Sequence, residues 1–284
     1  MPRPPAGELV HDFGGQGPVL HLAHANGFPP GTYRQLAAAL SDSYHVVGLP
    51  ARPLWPGSDP ADAPDWHPLA ADLIQALDDL GLAGIIGVGH SLGGVLTLWS
   101  GLARPDLFRA AILIEPVILP PAWLWFMDLM RRLRQEARQP LVQSALHRRR
   151  AWLSRQNCFA HFREKAFFAR WSDEALWDYV KSVTRSGEDG SVVLRYPPEW
   201  EAHIFATAPT DAWRGVEQLR IPVLLLRGAH SKTFRPSAQA RLKRLLPQAQ
   251  SVTIPDSGHL LPMERPRETA RLIREFLAAQ CGPA

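Results

Sequence analysis

The stretch Gly89-His90-Ser91-Leu92-Gly93 follows the apolar residues 85–88 and precedes another apolar run, 95–99. A Gly-x-Ser-x-Gly pattern between a strand and a helix forms a sharp turn with a strained serine backbone, so its flanking positions must lack side chains. The Ser91 hydroxyl would then stand at the end of the strand, and the first amides of the helix would point at negative charge that develops beside it. The pattern predicts a nucleophilic serine.

A histidine near the end of the chain is the predicted base. His259 lies in Asp256-Ser257-Gly258-His259, between the strand-like residues 250–254 and a predicted helix that begins near Glu264. A serine hydroxyl is protonated at neutral pH, so an imidazole must take its proton during attack and return it to the leaving group. We therefore expect His259 to act on Ser91.

Short apolar runs alternate with amphipathic segments through the first and last thirds of the chain. The predicted strands are residues 9–13, 19–23, 45–49, 85–89, 111–115, 223–227 and 251–254, and the predicted helices are 33–40, 68–80, 92–103, 236–245 and 264–279. This order predicts an α/β fold with a mostly parallel central sheet and helices on both faces. Ser91 and His259 would meet at the carboxyl edge of that sheet.

With these motifs the chain resembles the α/β-hydrolase superfamily, in particular its cap-bearing serine hydrolases, which include small esterases, cofactor-free haloperoxidases and C–C hydrolases. The resemblance covers nearly the whole chain. Residues 20–29 are similar to the family's His-Gly-Phe-Pro loop, the oxyanion loop, with Asn26 where histidine is usual. Gly258-His259 with Pro262, Glu264 and Pro266 is similar to the family's histidine loop. The resemblance implies that the backbone N–H groups of Phe28 and Leu92 form the oxyanion hole.

The acid of the implied triad departs from the common pattern. Most relatives carry aspartate after the penultimate strand, where this chain has Ser231. The superfamily's alternative is an acid at the end of the strand that follows the elbow, which is the sharp turn that holds Ser91. Glu115 occupies that place, so the resemblance implies that Glu115 orients His259. Two other readings remain open: Glu115 caps or pairs with the first helix of the cap, or Asp256 supplies the carboxylate.

The segment between the two halves of the alternation is rich in aromatic residues and predicts an inserted domain. We expect residues 1–115 and 216–284 to form the hydrolase core, and residues 116–215 to form an inserted, mainly helical cap. A helix near its start has two apolar sides, which would let it pack on the core and still line an apolar pocket. The predicted pocket residues are Asn26, His90, Trp123, Phe126, Met127, Met130 and Leu260.

Composition sets limits on the remaining properties. The 284 residues are 46% hydrophobic, without an 18-residue apolar span, and residues 1–5 lack the apolar stretch of a signal peptide, so we expect a cytoplasmic protein without stable membrane insertion. Cys158 and Cys281 have no metal-ligand spacing, and no Gly-rich cofactor motif is found, so no cofactor or metal is implied. The net charge of +4 comes with clustered arginines that we interpret as solvated helix faces rather than a nucleic-acid site. We expect a monomer or homodimer.

Two classes of function follow from the sequence. The preferred one is a serine hydrolase, in particular a carboxylic ester hydrolase that acts on a hydrophobic or aromatic small molecule through an acyl-enzyme on Ser91. The alternative is a non-catalytic ligand receptor of the same fold, suggested by the missing aspartate. A lyase, C–C hydrolase or perhydrolase would use the same residues, whereas epoxide hydrolases and haloalkane dehalogenases need aspartate at the elbow.

Overall fold

The computed structural model describes residues 4–188 and 190–281, with the backbone alone at Pro121, Ala122 and Cys281. Within these residues the strands are β1 (His11–Gly14), β2 (Val19–Ala23), β3 (His45–Gly48), β4 (Ile85–His90), β5 (Phe108–Ile114), β6 (Ala151–Trp152), β7 (Thr184–Ser186), β8 (Val192–Leu194), β9 (Val223–Gly228) and β10 (Gln250–Ile254). The central sheet has the order β1-β3-β2-β4-β5-β9-β10. Strand β1 is antiparallel to β3, and the other neighbours are parallel.

The strands at the centre of this sheet are apolar along their whole length because both of their faces are covered. Every residue of β4 and β9 is buried. Such continuous Val, Ile and Leu runs are typical of parallel strands with helices on both faces. The predicted α/β-hydrolase fold is confirmed.

The helices are α1 (Ala6–Leu9), α2 (Arg34–Leu40), α3 (His67–Asp79), α4 (Leu92–Ala103), α5 (Pro121–Arg132), α6 (Pro140–Leu146), α7 (Arg155–Arg163), α8 (Asp173–Val183), α9 (Pro198–Ala206), α10 (Pro236–Leu245), α11 (Leu261–Glu264) and α12 (Pro266–Cys281). Helices α4 and α10 have the predicted bounds. The predicted helix 264–279 is found as α12, which begins two residues later because Pro266 favours the first position of a helix. The short helix α11 before it was not predicted. The predicted strand 9–13 begins at His11, after α1.

Residues 115–222, which we call the insertion, join β5 to its neighbour β9. They contain α5 to α9 and a small antiparallel sheet of order β6-β8-β7, which was not predicted from the sequence. Several hydrogen bonds tie the insertion to the remainder of the chain. For example, Gln35 Nε2 donates to Asp178 Oδ2 over 2.6 Å, and Trp66 Nε1 donates to the Ile204 carbonyl over 2.9 Å. The division into a core and a cap at residues 116 and 215 stays a prediction.

Three further predictions concern membrane insertion, the two cysteines and the first residues of the chain. No helix in residues 4–188 or 190–281 is long and apolar enough to cross a membrane. Cys158 is a buried free thiol, whereas the side chain of Cys281 lies outside the described part. Residues 1–3, which entered the expectation of a cytoplasmic location, also lie outside it.

Candidate active site

The turn between β4 and α4 holds Ser91 in the backbone conformation that the sequence pattern predicts. Ser91 has a φ of 57° and a ψ of −116°, and its N–H donates to the Ile114 carbonyl of β5 over 3.0 Å. A β-carbon at Gly89 would lie 2.3 Å from the Gly93 carbonyl oxygen, and one at Gly93 would lie 2.1 Å from the Ala23 carbonyl oxygen. Any side chain at either glycine would therefore collide with backbone atoms.

The three residues of the predicted triad lie in hydrogen-bond contact. His259 Nε2 is 3.0 Å from Ser91 Oγ, and His259 Nδ1 is 3.0 Å from Glu115 Oε2. An ionised carboxylate only accepts, so Nδ1 carries the hydrogen of this bond and Nε2 of the neutral ring is left to accept from the serine hydroxyl. The Nδ1–Oε2 distance lies within the usual range of a hydrogen bond.

Glu115 lies at the end of β5 with its side chain wholly buried. Its backbone N–H donates to the Leu226 carbonyl over 2.8 Å, and its own φ is 51°. Oε1 accepts from the Gly228 N–H over 2.6 Å, and Oε2 also accepts a short bond from the Ser231 hydroxyl. These bonds compensate the burial of a carboxylate.

The other readings of the acid find no support in these contacts. The bonds of Glu115 go to β9, to the loop after it and to His259, and not to the first helix of the insertion. The side chain of Asp256 is 79% exposed, and its Oδ1 lies 3.9 Å from Nε2 of His230. Ser231 occupies the place of the usual aspartate and contacts the carboxylate instead of the histidine.

The two predicted oxyanion donors differ in their present bonding. Leu92 is the first residue of α4, so its N–H has no partner within that helix. The Phe28 N–H instead donates to the Ala25 carbonyl over 3.1 Å and closes a turn. A role for Phe28 in binding an oxyanion therefore requires this hydrogen to be shared between two acceptors.

Two of the predicted pocket residues are engaged in internal hydrogen bonds. Asn26 donates to the Glu201 carbonyl over 3.0 Å and accepts from the Tyr196 hydroxyl over 2.9 Å, so its amide is bound to the insertion. His90 has Tyr33 Oη 2.8 Å from Nδ1 and the His259 carbonyl 2.8 Å from Nε2. Burial lowers the pKa of His90 to about 3, and the nearby His259 adds to the effect.

The remaining predicted pocket residues differ in exposure. On α5, Trp123 and Phe126 are 45% and 44% exposed, whereas Met127 is buried and Met130 is half-buried. The guanidinium of Arg235 lies 5.7 Å from the centre of the Trp123 ring. In the described part of the chain, no ring contact joins Trp123 or Phe126 to His259. Leu260 is buried in the main apolar core.

Aromatic residues of the insertion that were not among the predicted pocket residues surround Phe28. The ring centres of Tyr179, Trp171 and Phe167 lie 5.3, 6.2 and 6.3 Å from that of Phe28. Gly258, next to His259, would place a β-carbon 3.5 Å from Nη1 of Arg170. The segment 167–171 therefore runs between the oxyanion loop and the histidine loop. In the sequence, only the density of aromatic residues in segment 167–171 indicated a place near the site. Because the rest of the insertion is also rich in aromatic residues, this density did not single out the segment.

Two cavities lie elsewhere. A surface groove of about 280 Å³ is lined by residues that include His11, Arg34, Lys181 and Arg195, and an apolar cavity of about 30 Å³ is lined by residues that include Trp55. Neither is lined by Ser91 or His259. The contacts around Ser91, rather than these cavities, define the candidate site. The described residues contain no group of histidine, cysteine and acidic side chains that could hold a metal ion.

The chain is similar in sequence and in fold to several known hydrolases. The chain is 28% identical to epoxide hydrolase A of Mycobacterium tuberculosis over 92% of this chain and 90% of that protein. Its fold is similar to that of E-2-(acetamidomethylene)succinate hydrolase, with a TM-score of 0.79 at 20% identity, covering 97% of this chain and 98% of the other. It is also similar to an esterase of Mycobacterium tuberculosis, with a TM-score of 0.70 at 21% identity and coverages of 94% and 88%. At these identities the structural matches show the fold alone.

The sequence model of the alpha/beta hydrolase family matches residues 19–272, a span that includes the oxyanion loop, the serine turn and the histidine loop. This protein therefore belongs to the alpha/beta hydrolase family.

Proposed function

We propose that this protein is a serine hydrolase that cleaves carboxylic esters of hydrophobic or aromatic small molecules through an acyl-enzyme on Ser91. The observation that carries the proposal is the continuous contact from Ser91 Oγ through the imidazole of His259 to Glu115 Oε2, with 3.0 Å at each step. A nucleophile, a base and an acid that orients the base are the parts that acyl transfer requires.

In the first step, His259 Nε2 accepts the proton of Ser91 as the serine oxygen attacks the ester carbonyl. The imidazolium that forms is stabilised by the carboxylate of Glu115, which is itself held by Gly228 and Ser231. The oxyanion would be bound by the Leu92 N–H, assisted by the Phe28 N–H when its hydrogen is shared. The imidazolium then protonates the leaving alcohol. In the second step, His259 Nε2 accepts a proton from the water molecule that attacks the acyl-enzyme. The imidazolium returns this proton to Ser91 Oγ as the carboxylic acid leaves.

The substrate class rests on the surroundings of Phe28. Its ring packs among Phe167, Trp171 and Tyr179, so the wall beside the oxyanion loop is aromatic. An apolar acyl or alcohol group would bury its surface there, at about 25 cal/mol per Å². Small polar esters would lack this stabilisation.

Other reactions of the family are less well supported. Epoxide hydrolase A is a sequence relative, but this chain has Ser91 where such enzymes need aspartate to attack the epoxide. The receptor alternative depended on a missing acid, and Glu115 is in contact with His259. Cleavage of C–C bonds, lyase chemistry and perhydrolysis would use the same residues, so assays must separate them.

A panel of p-nitrophenyl esters with short, long and aromatic acyl groups tests the proposal. We expect turnover that rises from acetate to longer or aromatic acyl groups, and its loss by a factor of about 10⁴ or more in Ser91→Ala. Ser251→Ala is the matched control, because Ser251 is exposed on β10 and bonds to Gln239. Folded wild-type protein without turnover of any ester, or Ser91→Ala within tenfold of wild type, would contradict the proposal.

A further inference from the structure

We propose that Tyr33 and His90 form a buried hydrogen-bond relay that positions the oxyanion loop and the histidine loop on opposite sides of Ser91. The relay begins at the Ala25 N–H, 2.9 Å from Tyr33 Oη. It continues over 2.8 Å from Tyr33 Oη to His90 Nδ1, and over 2.8 Å from His90 Nε2 to the carbonyl oxygen of His259. The inference rests on the proposed function, since it concerns residues that position the reacting groups.

Only one arrangement of hydrogens satisfies all three bonds. The carbonyl of His259 can only accept, so Nε2 of His90 carries the hydrogen. Burial keeps this ring neutral, with a pKa of about 3, so its Nδ1 has a lone pair and accepts from the Tyr33 hydroxyl. The Tyr33 oxygen in turn accepts from the Ala25 N–H. Every donor therefore points in the same direction along the relay.

One end of the relay holds the oxyanion loop. The Ala25 carbonyl accepts from the Phe28 N–H over 3.1 Å and from His24 Nδ1 over 2.9 Å, so Ala25 anchors the turn that contains the predicted donor Phe28. The ring of Tyr33 is 1% exposed. The bond from the Ala25 N–H to Tyr33 thus holds the turn that contains Phe28, the predicted oxyanion donor.

The other end holds the backbone of the proposed base. The ring of His259 is bound to Ser91 and Glu115, and the bond from His90 to its carbonyl fixes its main chain. His90 directly precedes Ser91 and is 1% exposed, so it lies behind the nucleophile. Tyr33 and His90 have no direct contact with the reacting atoms in this proposal, and they act as positioning residues.

The central test removes the middle of the relay. Tyr33→Phe leaves the Ala25 N–H and His90 Nδ1 without their partner, and small displacements of catalytic groups are costly. We expect kcat for a p-nitrophenyl ester to fall by about ten- to hundredfold while KM changes less than threefold. Tyr44→Phe is the control, because Tyr44 is also buried but lies before β3, away from Ser91. Equal kcat values for the two variants would overturn the proposal.

Two variants of His90 separate the halves of the relay. Glutamine at residue 90 places an amide N–H near the position of Nε2 and can keep the bond to His259. Asparagine places an oxygen near the position of Nδ1 and can keep the bond from Tyr33 only. If the relay positions the base, His90→Gln retains more kcat than His90→Asn at equal thermal unfolding midpoints. The reverse order would contradict the proposed role of the His259 carbonyl.

A measurement that needs no turnover separates this proposal from the proposed function. Long-range ¹H–¹⁵N NMR spectra at pH 7 should show His90 neutral, with hydrogen on Nε2 and none on Nδ1. Hydrogen on Nδ1, or on both nitrogens, would overturn the relay even in an active enzyme. If the expected tautomer is found in a protein that neither hydrolyses esters nor reacts with a fluorophosphonate, the function fails while the hydrogen-bond arrangement stands.

Discussion

Ser91 and Glu115 both have positive φ values and both stand at the carboxyl ends of strands. Such conformations cost non-glycine residues about 1 to 3 kcal/mol each, so the surroundings must hold them. The holding bonds run to neighbouring strands: Ser91 N–H to Ile114, and Glu115 N–H to Leu226. The sheet thus positions the nucleophile and the acid through their main chains, before any side-chain contact is considered.

The negative charge of Glu115 can be tested separately from the shape of its side chain. Glu115→Gln keeps the shape of the side chain but removes the charge that stabilises the imidazolium. We expect kcat to fall by about 10² to 10⁴, with the thermal unfolding midpoint used to confirm that the variant is folded. A variant with wild-type kcat would show that another carboxylate serves His259.

Ser231→Ala provides the comparison for Glu115→Gln. Its hydroxyl bonds to Glu115, but the carboxylate keeps the Gly228 N–H and His259 as partners after the change. The expected loss of kcat is therefore about tenfold or less, which corresponds to the roughly 0.5 to 1.5 kcal/mol that a typical hydrogen bond contributes. A loss equal to that of Glu115→Gln would mean that Ser231 takes a larger part in the triad.

At the scale of elements, the sequence predicted those features whose cause is local. The serine turn follows from Gly89 and Gly93, which lie within a few residues of Ser91, and α4 was predicted to the residue. The triad was predicted although Ser91 and His259 are 168 positions apart, because sequence motifs mark both residues. The relay was not predictable, because no motif marks Tyr33 as a partner of His90, which lies 57 positions away. The small sheet of the insertion was also missed, since its strands have only two or three residues.

The serine turn itself predicts a steric effect. Gly93→Ala would place a methyl group 2.1 Å from the Ala23 carbonyl oxygen, so β2 and α4 must separate. We expect a loss of about 3 kcal/mol or more in the free energy of unfolding, together with loss of esterase activity. Urea denaturation measures the first quantity.

Gly7→Ala is the matched control for this change. Gly7 lies in α1, and a β-carbon there would have no atom within 4 Å. Its unfolding free energy should stay equal or rise by up to about 1 kcal/mol, because alanine favours helix. Equal stabilities for the two variants would contradict the close approach of β2 and α4.

At the scale of the whole molecule, buried neutral histidines link folding to pH. Burial lowers the pKa of His21 and His90 to about 3 and that of His24 to about 4, from an ordinary value of 6.5. Below pH 6.5 these histidines are protonated in the unfolded chain but remain neutral in the folded protein. The free energy of unfolding must therefore fall as the pH drops from about 6.5 towards 4.

The expected slope is up to about 1.4 kcal/mol per pH unit for each of these histidines. His21→Gln should therefore reduce the slope between pH 5 and 6 by about that amount, as measured by urea denaturation at several pH values. His21 is well suited because its ring makes no contact with Ser91 or His259 and its pKa shift comes mainly from burial. An unchanged slope would mean that His21 is protonated in the folded protein.

In the proposed mechanism Ser91, activated by His259, forms a covalent intermediate. Mass spectrometry of the protein after reaction with a fluorophosphonate, followed by digestion and identification of the modified peptide, detects such an intermediate. We expect one adduct per chain, located on Ser91, and reaction slowed by at least about 10³ in His259→Ala. An adduct on another residue, or folded wild-type protein that stays unmodified, would contradict it.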